Sequence, residues 1–192
     1  MMRYIILALL LIFNKACNGQ KKAQMERFDI TNFKKKAVKG EHIYITEDKI
    51  KVRQWQSSSE VFIQESSGIN STELLYQEFY SDSGFLKLSG KEFHGFSIGL
   101  WKEFSRSGMI TKEWNEDEGY EFTIEELDVK MKALGVNIRF LQSGVSVMKA
   151  KVGRPEYVVT YPVDDNPYEV RKLSIDGITG QTLTEEIVKI RH

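Results

Sequence analysis

The stretch whose spacing suggests a catalytic nucleophile is Gly95-Phe96-Ser97-Ile98-Gly99, which carries the G-x-S-x-G pattern of a serine elbow. That pattern works when a strained turn between a strand and a helix holds the hydroxyl exposed beside an oxyanion hole. Here the following residues, Leu100-Trp101-Lys102-Glu103-Phe104, read as a strand and run into the turn signal Ser107-Gly108, so no helix follows the serine. A triad in this order also needs a histidine downstream, and the candidate is His192, the last residue. Ser97 is therefore read as a strand residue.

The remaining chemistry-bearing residues are scattered. His42, His94 and His192 belong neither to an HExxH motif nor to a spaced Cys/His set, and zinc needs three or four converging ligands. His94, beside Gly95, reads as a solvated turn residue. Glu116-Asp117-Glu118 and Asp164-Asp165 offer oxygens without the alternating D-x-D-x-D-G spacing that wraps calcium, and they read as loop acids. No glycine-rich phosphate cradle is present. The expectation is a chain with no catalytic residue, no metal and no cofactor.

Binding is the better lead, because Tyr76, Phe79, Tyr80, Phe93, Phe96, Trp101, Phe104 and Trp114 crowd one short segment. Core packing accounts for most of them, since each aromatic side chain buries about 150–250 Å². A narrow hairpin array leaves some partly exposed, and such a patch marks an interaction surface. Tyr80, Trp101 and Phe104 are the predicted members of that surface.

The elements that would position these residues begin after a separate N-terminal segment. Arg3 precedes an unbroken apolar run from Tyr4 to Phe13, the length of a secretory h-region and short of the roughly 20 residues that cross a bilayer. The only cysteine, Cys17, follows directly in Asn14-Lys15-Ala16-Cys17-Asn18-Gly19-Gln20. This resembles the lipobox of bacterial lipoproteins, and the resemblance implies that residues 1–16 are a signal peptide, that Cys17 is acylated and that the product is an exported, membrane-anchored protein of the cell envelope. A lone thiol would otherwise be awkward in an oxidising exterior. Lys plus Arg and Asp plus Glu are both 27, and removing Arg3 and Lys15 leaves a net charge of about −2. Near-neutrality argues against a nucleic-acid partner, which requires a basic face to displace counterions. The run Lys34-Lys35-Lys36 reads as a solvated or membrane-proximal stretch, and residues 17–40 as a lipidated tether leading into a first structural element anchored by Phe28, Ile30 and Phe33.

From Gly40 the apolar period becomes two. Ile43 with Ile45, a turn near Glu47-Asp48, and Ile50 with Val52 predict a hairpin, and "EVFIQE" predicts a third strand. A repeat with a 24-residue period follows. Leu75–Gly95 aligns with Leu100–Gly119, placing Tyr80 on Phe104, Ser83-Gly84 on Ser107-Gly108, Leu86 on Ile110 and Gly95 on Gly119. Each copy reads as an aromatic strand, a Ser-Gly turn and a second strand, a hairpin that cannot bury its apolar face alone. With Gly95, Ile98-Gly99 and Trp101-Lys102 linking the copies, residues 74–120 resemble the MORN-type repeat of bacterial proteins of the YwqK-like antitoxin family. The resemblance implies a β-hairpin array with an exposed aromatic face, spanning residues 41–121.

Beyond Gly119 the period becomes helical. Thr123 and Glu126 form a capping box, while Ile124, Leu127, Met131 and Leu134 share one face up to a stop at Gly135. Three strand signals and the turn Asp176-Gly177-Ile178-Thr179-Gly180 complete the chain. Residues 122–192 resemble the PepSY domain through Asp176, Thr179, Gly180 and Leu183, which implies a one-helix, antiparallel-sheet module that binds or restrains other envelope proteins. The reading is an α+β, mostly β chain acting as a non-catalytic, membrane-anchored binding or structural module for an envelope protein or peptide. The alternative is an immunity or antitoxin-type protein that neutralises a cognate toxin or peptidase.

Overall fold

The computed structural model describes residues 26–141, 144–150, 153–163 and 166–189. Cys17, the apolar N-terminal run, the Asp164-Asp165 pair and His192 lie outside them. Two antiparallel sheets account for most of the described chain. The first is a seven-stranded meander in sequence order: β1 (Glu41–Ile45), β2 (Ile50–Ser58), β3 (Val61–Gly68), β4 (Glu73–Tyr80), β5 (Leu86–Phe93), β6 (Phe96–Phe104) and β7 (Ile110–Asn115). The second orders its strands β11-β10-β9-β8, with β8 (Ser146–Ala150), β9 (Glu156–Val163), β10 (Asn166–Asp176) and β11 (Thr182–Lys189). Helix α1 (Ile30–Lys36) precedes the first sheet and α2 (Ile124–Ala133) joins the two.

Local sequence accounts for these elements. The two copies of the repeat fold as the consecutive hairpins β4–β5 and β6–β7. Gly84 and Gly108 occupy equivalent turns at φ +73° and +80°, a region closed to most other residues. The copies are also bonded to each other at the same interval: the Tyr80 hydroxyl donates to the Phe104 carbonyl at 2.8 Å, and Arg106 pairs with Asp82. Between β5 and β6, His94 and Gly95 both have positive φ with Phe93 paired to Phe96, as a two-residue hairpin requires.

Helix α2 starts at the expected capping box, with Thr123 Oγ1 accepting from Glu126 N–H and the Glu126 carboxylate accepting from Thr123 N–H. It ends in a Schellman arrangement, in which Val136 N–H donates to Met131 and Gly135 N–H to Lys132. That ending corrects one expectation. Leu134 is 54% exposed, because the reversal at Gly135 carries Val136 into the core position instead.

The two apolar clusters lie on one face of the first sheet, at its two ends. At the end bearing the Gly84 turn, Phe62, Phe79 and Leu86 pack with Phe28 and Phe33. The Phe28 ring stacks on Phe62 at 4.8 Å, and Phe28 N–H donates to the Gly84 carbonyl. Residues from Glu26 onward are thus part of the folded body, and any free tether is confined to residues before it. At the other end, Phe93 and Ile98 enter a larger cluster with Ile124, Leu127 and Met131 of α2 and with Val147, Tyr157, Val159, Leu173 and Ile175 of the second sheet. The boundary expected near residue 121 separates two sheets that share one core.

Between these ends the same face is crossed by amides. Gln54 Nε2 donates to Gln64 Oε1 at 2.6 Å, Gln64 Nε2 to Gln77 Oε1 at 3.2 Å, and Gln77 Nε2 to the Glu26 carboxylate at 2.7 Å. His42 Nδ1 lies 3.2 Å from Gln54 Oε1, completing a chain in which each amide both accepts and donates. Gln77 is only 1% exposed, so its satisfaction matters: an unpaired buried amide costs about 1–3 kcal/mol. Gln77→Leu, which strands the amide of Gln64, is expected to lower stability by about 1–3 kcal/mol, read as a reduced urea midpoint at unchanged m-value; an unchanged midpoint would show that the chain of amides contributes nothing.

Candidate functional site

The opposite face of the first sheet lies outside both apolar clusters. Register places Arg53, Glu65, Tyr76 and Gly90 side by side across β2 to β5. Trp101 and Trp114 continue the row on β6 and β7. At about 4.8 Å per strand the row is about 24 Å long. Its charged and hydroxyl groups are paired within the surface, whereas the buried Trp101 indole N–H has no hydrogen-bond partner. Arg53 binds Glu41 at 2.7 Å, approaches Glu65 at 3.8 Å and covers the Trp55 ring at 4.7 Å. The Tyr76 hydroxyl donates to Glu78 at 3.1 Å, and Trp114 Nε1 donates to Glu116 at 2.7 Å. Lys112 lies over the Trp114 ring at 4.7 Å. Burial, then the neighbouring charge of Glu65, pushes the Glu92 carboxyl up from its ordinary range.

The three residues predicted to form the surface do not stay together. Tyr80 is half-buried on the open face, with the Arg106 guanidinium 4.4 Å from its ring. Trp101 is only 5% exposed. Its indole lies flat over Gly90, where an added Cβ would stand 2.1 Å from the ring, and it is flanked by Tyr76 at 5.8 Å and Trp114 at 6.2 Å. Trp101 is therefore the packed floor of the row and not an exposed anchor. Phe104 departs further, since it packs against the Phe28 cluster on the covered face. The partly accessible aromatic rings of the row are instead the half-buried Trp55, Tyr76 and Trp114. Period-two alternation in "VRQW" already puts Arg53 and Trp55 on one side, and it also separates Trp101 from Phe104.

Ser97 sits inside β6 opposite Glu92, and the strand continues to Phe104. The strained strand-to-helix turn that gives an elbow its nucleophile is absent at this position. Among the described residues, no three His, Cys, Asp or Glu side chains converge as metal ligands.

His94 holds a structural position that its place in a turn conceals. Its ring donates from Nε2 to the Ile138 carbonyl at 2.7 Å, an acceptor shared with the Thr72 hydroxyl at 2.9 Å. Around it, Thr72 N–H donates to Arg139 O, Leu141 N–H donates to Asn70 O, and Arg139 Nη1 donates to Glu73 at 2.8 Å. Asp117 makes a second tie, accepting from Gly99 N–H and pairing with the buried Lys149 of β8. These contacts fasten the segment after α2 to the His94 end of the first sheet and tie β8 to the turn after β7.

No known protein family matches the chain, and no curated protein and no solved structure matches it either.

Burial holds the His94 ring below its ordinary pKa, with the bond to Ile138 opposing the shift only in part. A histidine depressed in the folded state binds fewer protons there than in the unfolded chain. Its contribution is therefore complete above an unfolded pKa of about 6.5 and is lost as pH falls through the window below. Wild-type protein is expected to lose stability as pH falls below about 6.5. His94→Asn keeps a turn-forming Asn-Gly pair and should flatten that part of the urea-midpoint profile; an equal slope in both proteins would remove His94 from the joint.

Proposed function

We propose that the protein is a non-catalytic, membrane-anchored module of the cell envelope that binds a protein or peptide through the open face of its first sheet. The observation that carries this reading is the row from Arg53 and Trp55 to Trp114, which stands outside both apolar clusters while combining aromatic rings with ion pairs. Aromatic and arginine side chains dominate binding energy where they can be desolvated against a partner. The row is also held in place before any partner arrives, because Trp101 is fixed over Gly90 and Arg53 is braced by two carboxylates. Rigid anchors of this kind lose little conformational freedom on binding.

The anchor belongs to the same proposal. The apolar run followed by Cys17 supports a cleaved leader and an acylated N-terminus. A two-signal attachment holds far better than one acyl chain alone. The 24-residue offset of the two hairpins supports a MORN-like array, and the α2-plus-four-strand arrangement with its Asp176–Gly180 turn supports a PepSY-like module.

Two linked measurements test the proposal. Wild type is expected in the membrane fraction with a lipid mass on its Cys17 peptide, whereas Cys17→Ser should be released; retention of the variant, or an unmodified wild-type peptide, contradicts the anchor. For the face, a Trp55→Ala/Trp114→Ala double variant should keep its melting temperature within a few degrees yet lose partner affinity about tenfold or more. Unaltered affinity would move the binding surface elsewhere.

A further inference from the structure

Four lysines close the first helix and the turn after it. Lys34, Lys35 and Lys36 form the last turn of α1, Lys39 follows, and all four are exposed. The helix is clamped by its apolar side, with Phe33 in the Phe28 cluster and Ile30 and Ala37 packed against it, so the ammonium groups are held outward. Among the described residues, none of the four is ion-paired with a carboxylate. The nearest acids in sequence are otherwise engaged: Asp29 caps α1 through Asn32 N–H, and Glu41 binds Arg53. Val38, 72% exposed, projects an apolar side chain among them.

This local excess is not a consequence of overall basicity, because the chain carries equal numbers of basic and acidic residues. Four unneutralised like charges repel one another, and they suit a surface of opposite sign. Their position narrows the choice of surface. Cys17 and Glu26 are nine residues apart, so even a fully extended connection spans no more than about 32 Å. Glu26 is itself bonded to Gln77 of the sheet, and α1 begins four residues later. A body tied through Cys17 therefore carries these lysines within a tether's length of the bilayer.

We infer that Lys34, Lys35, Lys36 and Lys39, with Val38 among them, form a docking surface for anionic phospholipid headgroups that orients the body on its membrane. This rests on the proposed anchoring, which places the patch beside lipid. Basic residues near an anionic leaflet each contribute modestly and together reach up to about a thousandfold in affinity for a cluster of four. Val38 adds a small apolar insertion at the headgroup boundary.

The test uses the full chain carrying Cys17→Ser, which has no acyl group, in sedimentation with vesicles of phosphatidylcholine alone or mixed equally with phosphatidylglycerol. The expected result is a preference of at least about tenfold for the anionic vesicles, lost at about 1 M salt where the Debye length is about 3 Å. Replacing all four lysines by Gln should abolish the preference and leave binding to neutral vesicles unchanged, while replacing them by Arg should retain it. Circular dichroism identifies any variant that fails to fold, and the Arg form then serves as the folded reference. No preference in the Cys17→Ser chain, or an undiminished one in the folded Gln variant, overturns the inference, as would stronger retention on a nucleic-acid duplex than on the vesicles. Because acylation plays no part in this assay, its failure is distinct from a failure of Cys17 to anchor the protein.

Discussion

A single-layer antiparallel meander can bury only one of its faces unless something covers the other, and this constraint organises the molecule. The buried face is closed at its two ends by different devices. At the Gly84 end, the chain's own N-terminal segment lays Phe28 and Phe33 on Phe62 and Phe79. At the His94 end, α2 and the second sheet enclose Phe93 and Ile98. Each large apolar side chain sequestered this way contributes roughly 1.5–3 kcal/mol. The stretch between the caps would be costly if it held unpaired polar groups, and the Gln54–Gln64–Gln77 chain meets that demand by donating in one direction until Glu26 accepts. Glu26 belongs to the same segment that delivers Phe28, so the polar chain and one apolar cap depend on each other.

Closure of one face leaves the other outside both apolar clusters. The open face is not an unstructured surface, because Trp101 is pressed against Gly90 and its neighbours Tyr76 and Trp114 are set by it. The body thus separates three features by position: apolar clusters on one side, a braced aromatic and charged row on the other, and exposed lysines on the first helix. A partner held on that row would meet side chains whose rotamers are already restricted.

Much of this architecture was legible in local sequence, and the reasons are physical. The 24-residue repeat exposed β4 to β7 because each copy must repeat its turn glycine, and the capping box with Gly135 marked both ends of α2. Period-two alternation marked strands but could not say which face would be covered, because coverage comes from residues distant in sequence. Trp101 illustrates the limit: its burial depends on the missing side chain at Gly90, eleven residues away on the neighbouring strand. Phe104 illustrates another, since the Phe28 cluster that covers it includes residues from the segment read as a tether. His94 looked like a turn residue and is one, yet its ring reaches Ile138, forty-four positions on, and no local pattern encodes that contact.

The central physical claim is that the two sheets form one cooperative unit through their shared core. All three tryptophans, Trp55, Trp101 and Trp114, lie in the first sheet, so fluorescence follows that sheet alone. Urea unfolding read by tryptophan fluorescence, with amide exchange of the β9 and β10 peptides followed in the same samples, compares the two sheets directly. One common midpoint is the expected result. Separate midpoints, with the second sheet exchanging while the tryptophans still report a folded environment, would contradict the shared core and return the chain to two independent modules.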